Sequence, residues 1–162
     1  MKLQGRWILA SVLVLATFGV TAQEAKLSLP VQDPRTGEPV QVRPGAKALH
    51  VVFFATWCPP CMEELERLAN REDRWQERGY RLVLIAVQNR QTAEGLTRFS
   101  QSRSVPGELW FDADGRAQRL LDAGLLPTHV VFDAQGREVA RAGALNDEID
   151  SAIAELLPSS RR

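Results

Sequence analysis

The stretch ALHVVFFA, residues 48–55, constrains the fold more than any other. It is almost continuously apolar and rich in β-branched and aromatic residues, which predicts a strand buried on both faces. The run stops at Thr56, and WCPPCMEEL follows. A pair of prolines is excluded from a helix interior but suits a first turn, where the missing N–H groups have no helical partner to lose. Leu65, Leu68 and Trp75 then recur at helical spacing among charges, and Gly79 ends the pattern. A doubly buried strand that feeds directly into an amphipathic helix requires a layered α/β domain with that strand inside the sheet.

The rest of the chain repeats this logic. KLSLPVQDPRTGEPVQV, 26–42, holds two short alternating runs around a Pro/Gly-rich turn and predicts an N-terminal β-hairpin. YRLVLIAV, 80–87, predicts a second buried strand. TAEGLTRFSQSR, 92–103, predicts a helix with Thr92 as its N-cap and Leu96 and Phe99 facing inward. GELWFD predicts a short strand, GRAQRLLDAG a short helix, and THVVFD, 128–133, a further strand that AQG turns into a hairpin with REVARAG. Asn146 caps a last helix, which Pro158 stops before the SSRR tail. FDADGR and FDAQGR echo each other at 111–116 and 132–137, as two Asp–Gly turns after strands rather than as a duplicated domain. DADG lacks the further ligands of a calcium loop. The expectation is one α/β domain over residues 23–162, a mixed sheet with helices on both faces.

Residues 1–22 stand apart. Lys2 and Arg6 precede the apolar run WILASVLVLATFGV, 7–20, and VTA offers a cleavage point, the pattern of a secretory signal peptide. The run is short for a membrane span, which needs about 20 residues. The alternative is an uncleaved membrane tether through residues 7–20. Lysine plus arginine and aspartate plus glutamate both number 20, so net charge argues for neither nucleic acid nor an anionic membrane as partner.

Export decides how the two cysteines are read, because disulfides persist outside the cytosol. Cys58 and Cys61 are the only cysteines, and a bridge between them closes too short a loop to act as a staple. Cys58 falls where the first buried strand meets its helix, the end of an α/β sheet where chemistry collects. A helix N-terminus offers free N–H groups and a positive dipole end, both of which favour thiolate. Pro60 suits the first helical position, and Cys61 lies inside the first turn with its sulfur close to that of Cys58. The geometry fits a dithiol that opens and closes repeatedly. Pro59 and Pro60 also withdraw two thiolate-stabilising donors, which predicts a moderate rather than an extreme depression of the Cys58 pKa and a reducing couple. A zinc site would need four ligands, and His50 and His129 are the only histidines. No metal and no cofactor are therefore assigned.

VVFFATWCPPC with EEL behind it, followed some way downstream by GLLPTHVVFDAQGREVARAGAL, resembles the TlpA/ResA-like family of exported thioredoxin-fold thiol–disulfide oxidoreductases. The resemblance runs from Leu29 to Leu157. It implies a thioredoxin-like fold with an αβ insertion over 93–122, an exposed attacking Cys58 and a buried resolving Cys61. It further implies that Trp57 flanks the site, that Pro127 forms a cis-proline loop facing the disulfide, and that Leu126 and Thr128 meet an extended substrate. An X–Pro bond carries a small enough cis penalty for that role. Glu64 matches a glutamate that tunes cysteine pKa in the family, set against the simpler reading of a solvated helix residue like Glu63. His129 is expected to be a core or loop histidine.

Two positions depart from the family pattern. Val52 stands where thioredoxin itself has a buried aspartate, and Glu66 stands where the family usually has a helix-kinking proline. Glu64 is then the one nearby group for proton transfer to Cys61. The resemblance implies client proteins with cysteine thiols or disulfides, in cytochrome c maturation or copper-site assembly. An oxidising compartment implies a membrane thiol electron donor. The alternative is a copper-binding assembly factor on the same fold, since copper(I) favours thiolates. Nothing in the chain resembles a peroxide-binding loop.

Overall fold

A computed structural model describes residues 27–157. The leader expectation for residues 1–22 and the stop at Pro158 lie outside the described residues. The elements in chain order are β1 (Leu29–Gln32), β2 (Pro39–Val42), β3 (Ala48–Phe54), α1 (Pro59–Trp75), β4 (Tyr80–Val87), α2 (Ala93–Ser102), β5 (Glu108–Asp112), α3 (Arg116–Leu120), β6 (Thr128–Asp133), β7 (Glu138–Ala142) and α4 (Asp147–Leu156). Every element expected between residues 26 and 157 is present.

The strands form one seven-stranded mixed sheet in the order β2-β1-β5-β4-β3-β6-β7. β3 runs parallel to β4 and antiparallel to β6, so it is interior and all seven of its residues are buried. That is why its sequence shows no polar alternation. The N-terminal hairpin β1–β2 joins the sheet through β1 against β5. The αβ insertion read from residues 93–122 holds α2, β5 and α3, and β5 lies parallel to β4. Phe53 and Phe54 are fully buried, and each contributes roughly 1.5–3 kcal/mol through apolar area removed from water.

Local chemistry sets the helix ends. Thr92 Oγ1 accepts the Gly95 N–H at 3.1 Å and Asn146 Oδ1 accepts the Ile149 N–H at 3.0 Å, as capping residues should. The two echoed aspartates are both buried turn acceptors. Asp112 takes the N–H groups of Ala117 and Gln118 at the start of α3. Asp133 takes those of Gln135 and Arg137 in the β6–β7 turn. α1 and α4 are clamped together by Arg71, whose guanidinium meets the Asp150 carboxylate in a two-pronged contact, Nε to Oδ1 at 2.7 Å. Among the described residues, every buried side-chain nitrogen and oxygen has a partner.

Gly107 carries the tightest backbone approach, just before β5. Its φ of +66° lies in the left-handed region, and a Cβ there would sit 2.5 Å from the Leu82 carbonyl oxygen. A carbonyl in the β4 ladder cannot move aside. Gly107→Ala is therefore expected to destabilise the domain by about 2–4 kcal/mol, lowering Tm by roughly 4–16 °C. A thermal melt of the variant within 1 °C of wild type would contradict this placement.

Candidate active site

The cysteines sit where β3 runs out. The Cys58 N–H donates back to the Ala55 carbonyl at 3.1 Å, and Cys58 takes the extended conformation of an N-cap, φ −94° and ψ 105°. Pro59 and Pro60 occupy the first two helical positions and offer no N–H. The Cys61 N–H is thus the first donor that faces outward, and it meets Cys58 Sγ at 3.3 Å. The two sulfurs are bonded as a disulfide, with the Cα atoms 5.3 Å apart. One expectation is corrected here. Cys58 is the more accessible cysteine, but at 5% exposure against 2% for Cys61 it is buried rather than exposed. Its sulfur is covered because it is bonded to Cys61 and turned onto the Cys61 N–H.

Trp57 is 42% exposed and anchored at one edge, with its indole N–H donating to the Asn89 carbonyl at 2.7 Å. The Arg90 guanidinium stands 5.8 Å from the ring, within reach of a cation–π attraction. Gln91 braces the same loop: its side-chain oxygen accepts the Thr56 N–H at 2.8 Å, and its side-chain nitrogen donates to the Val87 carbonyl. Sequence reasoning missed this loop. Its signal was QNRQ, a polar run directly after a buried parallel strand, at the same sheet edge as the cysteines.

The Leu126–Pro127 peptide is cis. Thr128 opens β6 opposite Phe53, so the proline loop lies at the end of β3 that leads into Cys58. Thr128 is buried, and its hydroxyl closes the turn by donating to the Leu125 carbonyl at 2.6 Å. Leu125 itself is 80% exposed. Trp57, next to Cys58, and Leu125, in the proline loop at the same end of β3, thus present exposed apolar surface, with Leu126 half-buried.

Glu64 is not a solvated helix residue. It is buried on α1, one turn beyond Cys61, while Glu63 and Glu66 face solvent. Its Oε2 meets His129 Nε2 at 2.7 Å and its Oε1 accepts the Leu145 N–H at 2.9 Å. His129 Nδ1 lies 3.0 Å from His50 Nε2, and His50 Nδ1 lies 2.8 Å from the Tyr80 hydroxyl. Burial pushes the Glu64 carboxyl up, but the His129 and Leu145 hydrogen bonds, with the Arg67 charge, outweigh it and hold the pKa below its usual value. Burial, with His129 and Arg71 nearby, pushes His50 well below the ordinary imidazole range. Burial, helped by Glu72, pushes the Tyr80 phenol well above its own. His129 is a core histidine, as expected, but its bond to Glu64 was not foreseen. The available signal was a histidine in each of two otherwise apolar strands, since a buried imidazole needs polar partners. Among the described residues, no group of three or more His, Cys, Asp or Glu side chains is placed to hold a metal ion.

The chain is similar to several known proteins. The AhpC/TSA family model matches residues 20–140. The thiol-disulfide oxidoreductase ResA of Bacillus subtilis is 27% identical over 93 residues, covering 57% of this chain and 51% of that protein. The ResA of Oceanobacillus iheyensis is 20% identical over 114 residues, covering 69% and 58%. The chain spans about half the length of the curated relatives it matches. A secreted Mycobacterium tuberculosis disulfide oxidoreductase, homologous to DsbE of E. coli, superposes with a TM-score of 0.66 at 21% identity, over 80% of this chain and 96% of that one. That likeness identifies the fold as thioredoxin-like. The chain belongs to the AhpC/TSA family, and its relatives are of the TlpA/ResA-like kind.

Proposed function

We propose that this protein is an exported thiol–disulfide oxidoreductase that reduces disulfides in client proteins. The observation that carries the reading is the Cys58–Cys61 disulfide at the mouth of α1, with the Cys61 N–H on Cys58 Sγ. The name of the ResA relatives supports the reaction class, and the leader pattern of residues 1–22 supports export to the periplasm. Among the described residues, no helix is long and apolar enough to cross a membrane.

In this reading the reduced Cys58 thiolate attacks one sulfur of a client disulfide. A mixed disulfide forms, and the client's other sulfur leaves as thiolate and takes a proton. Cys61 then loses its proton and attacks Cys58 Sγ, releasing the second client thiol. Two electrons pass to the client, and the enzyme ends in the oxidised form seen here. A membrane dithiol donor restores the pair. Leu126, Pro127 and Thr128 meet the extended client chain, and Trp57 and Leu125 supply the apolar surface that holds it. Clients of matching chemistry are the heme-binding thiols of apocytochrome c and the cysteines of copper-site assembly proteins. The missing donors at Pro59 and Pro60 favour a reducing couple, because the Cys58 thiolate has the Cys61 N–H in place of a full set.

Cys61→Ser is expected to accumulate covalent adducts with clients in the exported compartment, and Cys58→Ser to accumulate none. Adducts on Cys58→Ser alone would reverse the assignment. Equilibration of the dithiol with defined glutathione buffers is expected to give a reducing potential. A value near −120 mV, the strong-oxidant end of the range, would make this a disulfide-introducing enzyme.

Glu64 lies one helical turn beyond Cys61, and in this reading its ionised carboxylate opposes a negative charge on the sulfurs. Glu64→Gln is accordingly expected to move the thiol alkylation profile to lower pH by about one unit. A profile that does not move would assign Glu64 a packing role.

A further inference from the structure

Three strands place one polar residue each on the same face of the sheet. Tyr80 lies opposite Ala48, two residues before His50 on β3, and His129 lies opposite Val52, two residues after His50. Side chains two apart on a strand share a face, so Tyr80, His50 and His129 step diagonally across β4, β3 and β6 toward α1. Glu64 receives the end of the line. His50 and His129 are fully buried, Tyr80 is 3% exposed and Glu64 is 7% exposed.

The chemistry of the two ends gives the line a direction. At the far end is a phenol that keeps its proton, and at the near end is a carboxylate. With both imidazoles neutral, one arrangement fills every position. Tyr80 O–H donates to His50 Nδ1, His50 Nε2–H donates to His129 Nδ1, and His129 Nε2–H donates to Glu64 Oε2. The Leu145 N–H already fills Oε1. A proton added to either Glu64 oxygen would point at an N–H that is itself a donor. Reversing the line to make room would require Tyr80 to accept from His50 and to find a new buried acceptor for its own proton.

We propose that Tyr80, His50 and His129 are positioning residues that keep Glu64 ionised and aimed, and so set the proton affinity of the Cys58–Cys61 dithiol through Glu64. The last step rests on the oxidoreductase reading above; the first does not. The surrounding charges add to this control without replacing it. Arg67 of α1 favours the ionised carboxylate through its charge, but its guanidinium bonds the Leu145 carbonyl at 3.0 Å. Arg71 of α1 is paired with Asp150 of α4, and Glu72 of α1 accepts the Gly107 N–H. The array also accounts for Val52. The sheet position opposite His129 is apolar, and the carboxylate arrives from the helix above.

The test compares wild type, His129→Asn, His129→Gln, Tyr80→Phe and Glu64→Gln, together with the double variant His129→Asn/Glu64→Gln. In His129→Asn the shorter amide does not reach Glu64, so Glu64 is expected to take up a proton at neutral pH. An infrared band of a protonated carboxylic acid should appear and should vanish in the double variant. The thiol alkylation profile of the reduced protein should move to lower pH by most of the shift seen in Glu64→Gln. It should move no further in the double variant. His129→Gln, whose amide N–H can still reach the carboxylate, should restore the wild-type profile. Tyr80→Phe keeps the packing and should move the profile the same way by a smaller amount. Thermal melts confirm that each variant is folded at the assay temperature.

A wild-type profile and no acid band in His129→Asn would overturn the proposal. So would a shift of equal size in the presence and absence of Glu64, which would mean that His129 acts without it. If the wild-type dithiol failed to exchange with disulfides at all, the oxidoreductase reading would fall. The infrared band would still decide whether the array holds Glu64 ionised.

Discussion

The burial of β3 on both faces and both edges is the constraint on which the rest depends. An interior strand has no freedom to shift register, because a slip of one residue would exchange its two packed faces. Its C-terminal end is therefore a fixed point. Cys58 follows four residues after Phe54, and α1 starts at once. The cis-proline loop is fixed from the same strand, because β6 pairs with β3 and begins opposite Phe53. The loop after β4 reaches the same edge because β4 runs parallel to β3. Three separate stretches of sequence thus converge at one sheet edge because one strand is buried.

The same strand organises the electrostatics. A sheet interior admits a polar group only if its hydrogen bonds are completed there. Tyr80, His50, His129 and Glu64 complete one another, with the Leu145 N–H closing the end. Each member is satisfied by the next, so the line behaves as a unit. Glu64 stands one helical turn beyond Cys61, and Cys58 caps the N-terminus of the same helix; a carboxylate raises a thiol pKa and a helix N-terminus lowers it. Opposing influences of this kind set a thiol pKa between its extremes.

Most of the fold could be read along the chain. The nearly continuous apolar runs at 48–54 and 80–87, broken only by His50 and Arg81, marked interior strands, because a strand covered on both faces lacks polar alternation. Thr92, Asn146 and Gly79 announced helix ends through their own local chemistry. The cysteine pair, the two prolines and Pro127 could be read as a site because each depends on neighbours one to three residues away or on a family motif. Glu64 remained ambiguous between solvent and site. Helical spacing sets position 64 on the stripe of Cys61, Leu65 and Leu68 and sets 63 and 66 off it, but a charged side chain at the border of such a stripe can still turn to solvent. Packing against β6 and the turn before α4 decides that the Glu64 carboxylate stays inside.

Sequence alone determined the order of elements, the position of the dithiol at a strand–helix junction, and the loss of two backbone donors at Pro59 and Pro60. These are matters of local geometry and of residue type. Tertiary structure decided which distant groups share a face: Asn89, Arg90 and Gln91 around Trp57, and Tyr80, His50 and His129 behind Glu64. Their separations of about 30 to 80 positions along the chain carry no local signal. Strand register alone sets which of them meet, and register is fixed by the core as a whole.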